Sequence, residues 1–389
     1  MIIGSKELIR DINSNLVLET IIDKSPISRA TLSKELGLTK ATISTIVQDL
    51  IDRHLVIEIG SDNTDLGRKP ILLTYNKDAG HALCIDIQPD SCTAILSNLQ
   101  ADILKQDMIP TPENPEDLPD VLIQYVKELI SNLTPSNYGL VGITLSIHGV
   151  TCDNTVKFAP YYNLSGIPLV SKLEEQLSIP TYLENEANLS ALGECSIVHD
   201  NSNLASISVH SGIGLGLIIN NHLVKGYKGY AGEVGHTIID IDGRPCPCGN
   251  HGCLEQYVSE KALLIEFATR KGKKQISFEE FAKAYEEKDP DAEIIIDLFV
   301  KYMSVGLNNI LNSYNPEIIV INSSFTSFYP MLTEEIIKRL SSRMNNYSSI
   351  LPSSLYGKSS LIGGLCVAIK NFLGIKYLKM QNSNDSRTI

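Results

Sequence analysis

Apolar positions in the first sixty residues repeat with the period of short helices that are broken by turns. The pattern predicts a helix over 15–22, a second over 29–36 and a third over 40–51. Ser28 can cap the second helix, and Gly37 ends it. A tight turn separates the second helix from the third, which is the arrangement of a helix-turn-helix.

A hairpin is predicted directly after these helices. The apolar runs 56–59 and 70–75 enclose a polar loop over 61–67, which is typical of two strands and their connection. A hairpin in this place is the wing of a winged helix-turn-helix. We therefore predict a winged helix-turn-helix domain over residues 1–78.

The third helix turns a set of polar side chains away from its apolar face, and these could reach base edges and phosphates in a major groove. In the wing, two cations could enter a minor groove. A small helical module for protein–protein contact would show the same apolar pattern, so that alternative stays open. The DNA-binding residues that we predict are Lys40, Thr42, Ser44, Thr45, Gln48, Arg68 and Lys69.

From residue 81 the pattern changes to that of an α/β domain. Three apolar runs with turns between them predict an antiparallel meander, and alternating helices and buried strands follow it. A second unit of strands and helices begins near residue 203 and ends in an apolar helix over 361–373. We predict a two-lobed domain over 79–378 and a polar tail over 379–389.

Charge and hydropathy indicate where in the cell the protein is located, but they do not decide whether it binds DNA. The net charge is −12, yet residues 1–78 carry 10 Lys and Arg against 11 Asp and Glu. The acidity thus lies in the larger domain, which leaves DNA binding by the first domain open. No apolar run approaches the roughly 20 residues of a membrane span, and the N-terminus lacks the pattern of a secretory signal. We therefore expect a cytoplasmic protein.

Three of the eight cysteines fall within one short segment, Cys246-Pro247-Cys248-Gly249-Asn250-His251-Gly252-Cys253. In a reducing compartment such a cluster indicates a metal site more than a disulfide. Zinc needs about four soft or borderline ligands. From spacing alone the fourth ligand is either His251 or His236, and the alternative to a metal site is a reduced turn without metal.

A glycine-rich segment, 211–216, lies between two predicted strands. Its backbone N–H groups could cradle a phosphate. A tight connection between strands explains the glycines equally well.

These motifs, in this order, resemble the ROK family of repressors and sugar kinases, and in particular its xylose-repressor branch. The likeness covers nearly the whole chain and is most specific over 229–255, GYAGEVGHTIIDIDGRPCPCGNHGCLE. A second anchor is the segment LENEAN, 183–188, which is similar to the family's N-D-A-N segment. The resemblance implies an actin-like, ribonuclease H-like fold with two lobes.

The resemblance also implies functional residues. It makes the ligands of a structural zinc ion His236, Cys246, Cys248 and Cys253. It makes the sugar-binding residues Asn185, Glu186, Glu233, His236 and Glu255. Carboxylates and an amide that converge in a cleft suit the hydroxyl groups of a pyranose, and the metal would support the loop rather than act as a catalyst.

Departures from the family pattern separate the repressors from the kinases. Family kinases open with D-x-G-G-T, whose glycines let backbone amides approach nucleotide phosphates. Here Asp86 is followed by Ile87-Gln88-Pro89, and a proline has no N–H to donate. The residues at 322–325 lack the kinases' second glycine cluster, and Glu186 stands where the kinases have a catalytic aspartate. We therefore predict no catalytic residues.

The function that we predict is a sugar-responsive repressor. It would bind a palindromic operator as a homodimer or higher homo-oligomer and be released by xylose or a related sugar. The alternatives are an active sugar kinase with a DNA-binding appendage, and a regulator controlled by a protein partner. Nucleotide binding would favour the kinase, and the sugar-site carboxylates favour a sugar effector over a protein partner.

Overall fold

The structure is a computed structural model that describes residues 6–61, 71–199, 202–355 and 357–380. Its N-terminal head combines helices with a small sheet in which the strand order is β1-β3-β2. The elements of the head are α1 (Lys6–Lys24), β1 (Ile27–Ser28), α2 (Arg29–Leu36), α3 (Lys40–Asp52), β2 (Val56–Ser61) and β3 (Ile71–Tyr75).

Local caps set the bounds of α2 and α3. The Ser28 side chain accepts a hydrogen bond from the backbone N–H of Thr31 at 3.1 Å. Gly37 ends α2 in the left-handed region with φ of 65°, where glycine carries no steric penalty. The Thr39 side chain accepts from the N–H of Thr42 at 3.2 Å and starts α3. The predicted start and end of α2 are confirmed.

Helix α1 is longer than the predicted helix over 15–22. Its second half buries Val17 and Ile21 in the head core, and this buried face is what the pattern detected. Its first half extends back to Lys6 and leaves Ile9 and Ile12 about half exposed. A prediction based on burial therefore finds only the part of the helix that packs.

The first lobe is an open sheet of order β10-β7-β4-β5-β6, in which β4, β5 and β6 form the predicted antiparallel meander. Strands β7 and β10 continue the sheet parallel to β4. The elements are β4 (His81–Ile87), β5 (Ser91–Asn98), β6 (Ile103–Pro110), α4 (Leu118–Ser131), β7 (Leu140–Ile147), β8 (Val150–Cys152), β9 (Thr155–Phe158), α5 (Leu169–Leu177) and β10 (Thr181–Asn185).

The second lobe repeats this arrangement with a sheet of order β13-β12-β11-β14-β15. Strands β11, β12 and β13 are antiparallel, and β14 and β15 run parallel to β11. Its strands are β11 (Leu204–Val209), β12 (Ile213–Ile219), β13 (His222–Leu223), β14 (Ile318–Ser323) and β15 (Ser349–Pro352). Its helices are α7 (Glu255–Val258), α8 (Glu260–Arg270), α9 (Phe278–Glu286), α10 (Pro290–Tyr314), α11 (Ser324–Phe328) and α12 (Met331–Lys338). Two further helices join the lobes, α6 (Glu186–Gly193) and α13 (Ser359–Leu373).

Helices α6 and α13 cross at the junction of the lobes with their backbones in contact. A side chain at Gly363 would overlap the carbonyl oxygen of Leu189, and one at Gly193 would overlap that of Ser359. Only glycine allows so close an approach. The start of α6 lies where the two lobes meet, since Asn185 contacts Gly149 of the first lobe and Glu186 contacts Ser208 of the second. We call the space between the lobes at this point the cleft.

In the described part of the chain, α10 is the one helix long and apolar enough to cross a membrane by length and composition. Just over half (56%) of its most apolar 18-residue window is buried inside the protein. Phe299 and Met303 of this helix lie in the core of the second lobe. Packing in a core accounts for the apolar composition of α10.

Candidate functional site

A group of histidine and cysteine side chains lies in the second lobe, between β13 and α7 along the chain. Among the described residues, His236, Cys246, Cys248 and Cys253 offer donor atoms that all lie within 4.8 Å of one another. Cys246 Sγ is 3.6 Å from His236 Nδ1, and Cys248 Sγ is 3.7 Å from Cys253 Sγ. His251, the other candidate from spacing, is exposed and lies outside this group. The cluster can hold a metal ion.

Local backbone contacts form the loop that carries the cysteines. The N–H of Cys246 donates to the carbonyl of Asn250 at 2.9 Å, and Pro245 pairs with His251 across an isolated bridge. A second bridge joins Ile238 to Cys253 and brings the turn that holds His236 alongside. The loop therefore assembles from residues close in sequence, which is why spacing could predict it.

The thiols of the cluster differ in acidity. Burial raises the pKa of Cys246 and Cys253. A hydrogen bond from the backbone N–H of Asn250 lowers the pKa of the exposed Cys248. Of the three thiols, that of Cys248 is therefore the most readily ionised, and a thiolate is the form that binds metal.

Carboxylates adjoin the metal-ligand cluster. Glu255 Oε1 is 3.5 Å from His236 Nδ1 and accepts from Cys246 Sγ at 3.2 Å. Glu233 Oε2 is 3.9 Å from His236 Nε2. Burial raises the pKa of Glu233, with a further contribution from the charge of Glu255 and an opposing one from His236. Three of the predicted sugar-binding residues thus stand together.

The β11–β12 turn lies next to both Glu255 and the first turn of α6, where the remaining predicted sugar-binding residues are located. A Cβ placed at Gly212 would lie 3.3 Å from Glu255 Oε2, and one at Gly214 would lie 2.8 Å from the Cβ of Ala187. The glycines of 211–216 therefore give a tight strand connection against which α6 can pack. This packing brings the start of α6 and the loop of Glu255 to the same turn.

Asn185 and Glu186 stand at the start of α6. Asn185 caps the helix by accepting from the N–H of Asn188 at 3.0 Å, and its Nδ2 donates to the carbonyl of Gly149 at 2.8 Å. The buried Glu186 accepts from Ser208 Oγ at 3.0 Å. Asn185 thereby fixes the geometry of the site, and the predicted contacts of both residues with a sugar stay predictions.

A buried acid next to them was missed by the sequence analysis. Glu184 Oε1 accepts from the Asn185 N–H at 2.9 Å and from Asn188 Nδ2 at 3.0 Å, and its other oxygen pairs with Lys225 of the second lobe. The signal that could have identified Glu184 is the other glutamate of the segment LENEAN, two residues before Glu186. Glu184 ties the predicted sugar residues of α6 to the opposite lobe.

A buried ion pair occupies the corner of the cleft where β4 and β7 end. Asp86 accepts from Ser146 Oγ at 2.5 Å and from Gln88 Nε2 at 2.7 Å, and His148 Nε2 lies 3.2 Å from both its oxygens. Burial by itself raises the pKa of Asp86, but these bonds outweigh it and hold the pKa below its usual range. Burial likewise opposes the charge of His148, yet Asp86 raises its pKa to about 9.

The ion pair gives stability a pH dependence with a defined sign. Because the pKa of His148 is raised on folding, its contribution is fully present below about pH 6.5 and is lost as the pH rises through about 9. We expect His148→Gln to lower the free energy of unfolding by roughly 3 kcal/mol at pH 6 and by clearly less at pH 9.5. Urea unfolding of both proteins at the two pH values measures this, and an equal loss at both would show a neutral imidazole.

Tyr161 of the first lobe reaches residues of the second lobe at the mouth of the cleft. Its hydroxyl would lie 3.5 Å from a Cβ at Gly212, and Lys261 Nζ is 5.6 Å from its ring centroid. Burial, and then the charge of Glu255, raise its pKa. Nothing in the sequence pattern marked Tyr161, because the contact joins segments that are distant along the chain.

The head presents the predicted DNA-binding residues of α3 on one exposed side. Lys40, Ser44, Thr45 and Gln48 are exposed, and Thr42 is half-buried. Gln48 Nε2 donates to Asp52 Oδ1 at 2.8 Å, and Thr45 Oγ1 donates to the carbonyl of Ala41 at 3.1 Å. Arg68 and Lys69 lie outside the described residues.

Known proteins resemble this chain over most of its length. The family model described as "ROK family" matches residues 82–371. The xylose repressor of Bacillus spizizenii is 37% identical over 383 residues, covering 96% of this chain and 99% of that protein. The xylose repressor of Bacillus subtilis (strain 168) is 36% identical over 381 residues, with the same coverage of 96% and 99%.

Solved structures resemble the fold as well. A ROK family transcriptional regulator, a homolog of the E. coli MLC protein, matches with a TM-score of 0.77 and 27% identity over 94% of this chain and 96% of that one. A ROK family glucokinase from Streptomyces griseus, in complex with glucose and AMPPNP, matches with a TM-score of 0.66 and 24% identity over 74% of this chain and 99% of that one.

This chain belongs to the ROK family. The predicted family is thereby confirmed, together with a mixed α/β, actin-like fold similar to that of the ROK family glucokinase. The match to a transcriptional regulator over nearly the full chain supports a DNA-binding domain at the N-terminal side of the actin-like fold.

Proposed function

We propose that this protein is a sugar-responsive transcriptional repressor that is released from a palindromic operator by xylose or a related sugar. The observation that carries the proposal is the group of Glu233, His236 and Glu255 around the β11–β12 turn, in a chain whose head exposes the polar side of α3. Near-full-length similarity to xylose repressors supports the sugar class.

The head acts as a winged helix-turn-helix in this proposal. Helix α3 follows α2 after a tight turn, and the antiparallel pair β2–β3 follows α3. Helix α3 would enter a major groove with Lys40, Thr42, Ser44, Thr45 and Gln48 towards the DNA. Arg68 and Lys69 would contribute from the wing, and a homodimer in the cytoplasm would match the two half-sites.

Gln48 gives a test of this orientation. A glutamine side chain in the groove reads a base by paired hydrogen bonds worth about 1–3 kcal/mol. We expect Gln48→Ala to relax base preference at one position of each half-site while leaving affinity for non-specific DNA unchanged. Selection of DNA from a random library by both proteins measures the preference. Identical selected sequences would place Gln48 outside the groove.

The metal cluster fits zinc. Three cysteines and one histidine give a closed set of four soft or borderline donors, as structural zinc sites require. These four residues would hold a zinc ion, which would fix the loop that leads into Glu255. The proposed ligands remain His236, Cys246, Cys248 and Cys253.

Sugar recognition would use charged acceptors from several segments. Glu233 and Glu255 come from the metal-supported loop, and Asn185 and Glu186 come from the start of α6. An ionised carboxylate can accept hydrogen bonds from adjacent hydroxyl groups of a pyranose, and His236 can donate one. The residues of both lobes would then favour one lobe arrangement when the sugar is bound.

Near-full-length similarity to repressors and to a transcriptional regulator makes the protein a regulator and not an enzyme. The ion pair supports this, since the acceptors of Asp86 are taken by Ser146, Gln88 and His148. Such a carboxylate is poorly suited to hold a metal–nucleotide complex. Pro89 then removes an N–H that could bind a phosphate.

Two measurements on purified protein test the proposal. A thermal-shift screen of free and phosphorylated sugars, with ATP as a separate ligand, should find stabilisation by xylose or a related sugar and none by ATP. Protein loaded with that sugar should fail to enrich DNA that sugar-free protein selects from a random library. Enrichment unaffected by every sugar would contradict the proposal, and sugar-dependent turnover of ATP would favour the kinase.

A further inference from the structure

A short segment after α13 joins the sugar-binding domain to the head. We call residues 374–380 the C-terminal strap. Asn15 Nδ2 of α1 donates to the carbonyl of Gly374 at 2.7 Å. Glu19 Oε1 of the same helix accepts from the backbone N–H groups of Lys376 at 2.8 Å and Tyr377 at 3.0 Å. The carboxylate of Glu19 thus clamps two successive amides of the strap.

The strap also contacts the segment that follows α6. The N–H of Met380 donates to the carbonyl of Ser196 at 2.9 Å. Leu378 and Met380 are buried in one apolar cluster with Val17 and Ile21 of α1. The strap therefore touches the head and the end of α6 at once.

Helices α6 and α13 form one packed unit through this region. Beyond the glycine contacts at their crossing, the chain turns into a π-helix over Glu194–Val198 at the end of α6. Glu194 is fully buried there, and its Oε1 accepts from the hydroxyl groups of Ser353 and of Ser359, which begins α13. A shift of α6 cannot leave α13 in place without breaking these buried bonds.

The two ends of this unit lie at the two functional regions. Helix α6 begins at Glu186, one of the proposed sugar-binding residues, with Asn185 as its cap. Helix α13 ends at Leu373, and the carbonyl of the next residue, Gly374, accepts the hydrogen bond from α1. Helix α1 in turn shares its core with Ile43 and Val47 of α3, the proposed recognition helix.

We propose that α6, α13 and the C-terminal strap form the connection by which sugar in the cleft repositions the head, with Glu19 and Asn15 as its coupling residues. This inference rests on the proposed function. Close-packed helices tend to move as units, so a shift at Glu186 is passed through α6 and α13 towards α1. The coupling can be no larger than the preference of the sugar for one lobe arrangement.

The experiment compares operator affinity with and without saturating sugar for wild type, Glu19→Ala and Asn15→Ala, using DNA selected by the wild-type protein. Wild type should lose operator affinity about 5- to 150-fold on binding sugar, the usual range of allosteric coupling. Glu19→Ala should reduce this ratio to within about threefold of unity, with sugar affinity of the free protein unchanged. Asn15→Ala should have a smaller effect because it loses one bond.

Controls separate coupling from folding. Glu7→Ala changes a carboxylate at the exposed start of the same helix and should keep the wild-type ratio. Glu19→Gln keeps an acceptor oxygen and should restore part of the ratio. Wild-type release by sugar in Glu19→Ala would overturn the inference and leave the proposed function intact. Loss of operator affinity by Glu19→Gln in the absence of sugar would also overturn it, because Glu19 would then serve the folding of the head.

One result for the wild-type protein would contradict the proposed function as well as this inference. If no sugar alters the operator affinity of the wild-type protein, the proposed function itself is contradicted. The wild-type ratio and the variant ratio therefore report on separate claims.

Discussion

Replacing Cys248 with serine should remove the metal from the protein together with a large part of its stability. A hydroxyl group is a poor zinc ligand, and a structural site that loses one of four donors loses its closed tetrahedron. Cys248 is exposed, so the substitution leaves no cavity in the core. Metal bound only by the folded chain contributes its binding free energy to folding, which makes the expected effect large.

Metal analysis and thermal unfolding of the same preparations check this prediction. The wild-type protein should carry about one zinc ion per chain, and Cys248→Ser much less, with a lower melting temperature. Cys152→Ser, at a half-buried cysteine outside the cluster, is the matched control and should retain both metal and stability. Stoichiometric zinc in Cys248→Ser would mean that the ligand set is wrong.

Glu233→Gln should lower the affinity for the sugar by about ten- to a hundredfold, because a charged acceptor contributes roughly 1.5–3 kcal/mol per hydrogen bond. The amide keeps the size of the side chain and removes its charge. Glu233 belongs to the second lobe and α3 to the head, so operator affinity without sugar should barely change. In cells the variant would act as a repressor that the sugar no longer releases.

Calorimetric titration of sugar into wild type, Glu233→Gln and Glu286→Gln measures the effect, the last being a surface control on α9. Zinc content should be measured for each, since Glu233 lies 3.9 Å from His236. Wild-type sugar affinity in Glu233→Gln would place this carboxylate outside the pocket, and the proposed sugar site would have to be redrawn.

Features encoded by neighbouring residues were predictable from the sequence. Helix α2 begins after Ser28 and ends before Gly37, as the pattern predicted, because caps act within one turn of the chain. The three cysteines of the loop are close in sequence, so their meeting followed from spacing. The choice between His236 and His251 did not, and it came from the family resemblance.

Features that join distant segments were not predictable. Asp86 and His148 pair only because β4 and β7 are parallel neighbours that end together. Tyr161 meets the turn at Gly212 only when the lobes face each other. The bonds of Glu19 to the strap connect the two ends of the chain, and no periodicity encodes such a contact.

The central claim is that a sugar bound in the cleft releases the head from DNA. Its most direct test is the titration of xylose into a preformed complex of the protein with fluorescently labelled DNA that it has selected. The account predicts a saturable fall in fluorescence anisotropy, which Glu233→Gln shows only at about ten- to a hundredfold higher xylose concentrations. An unchanged anisotropy at sugar concentrations that calorimetry shows to be saturating would contradict it.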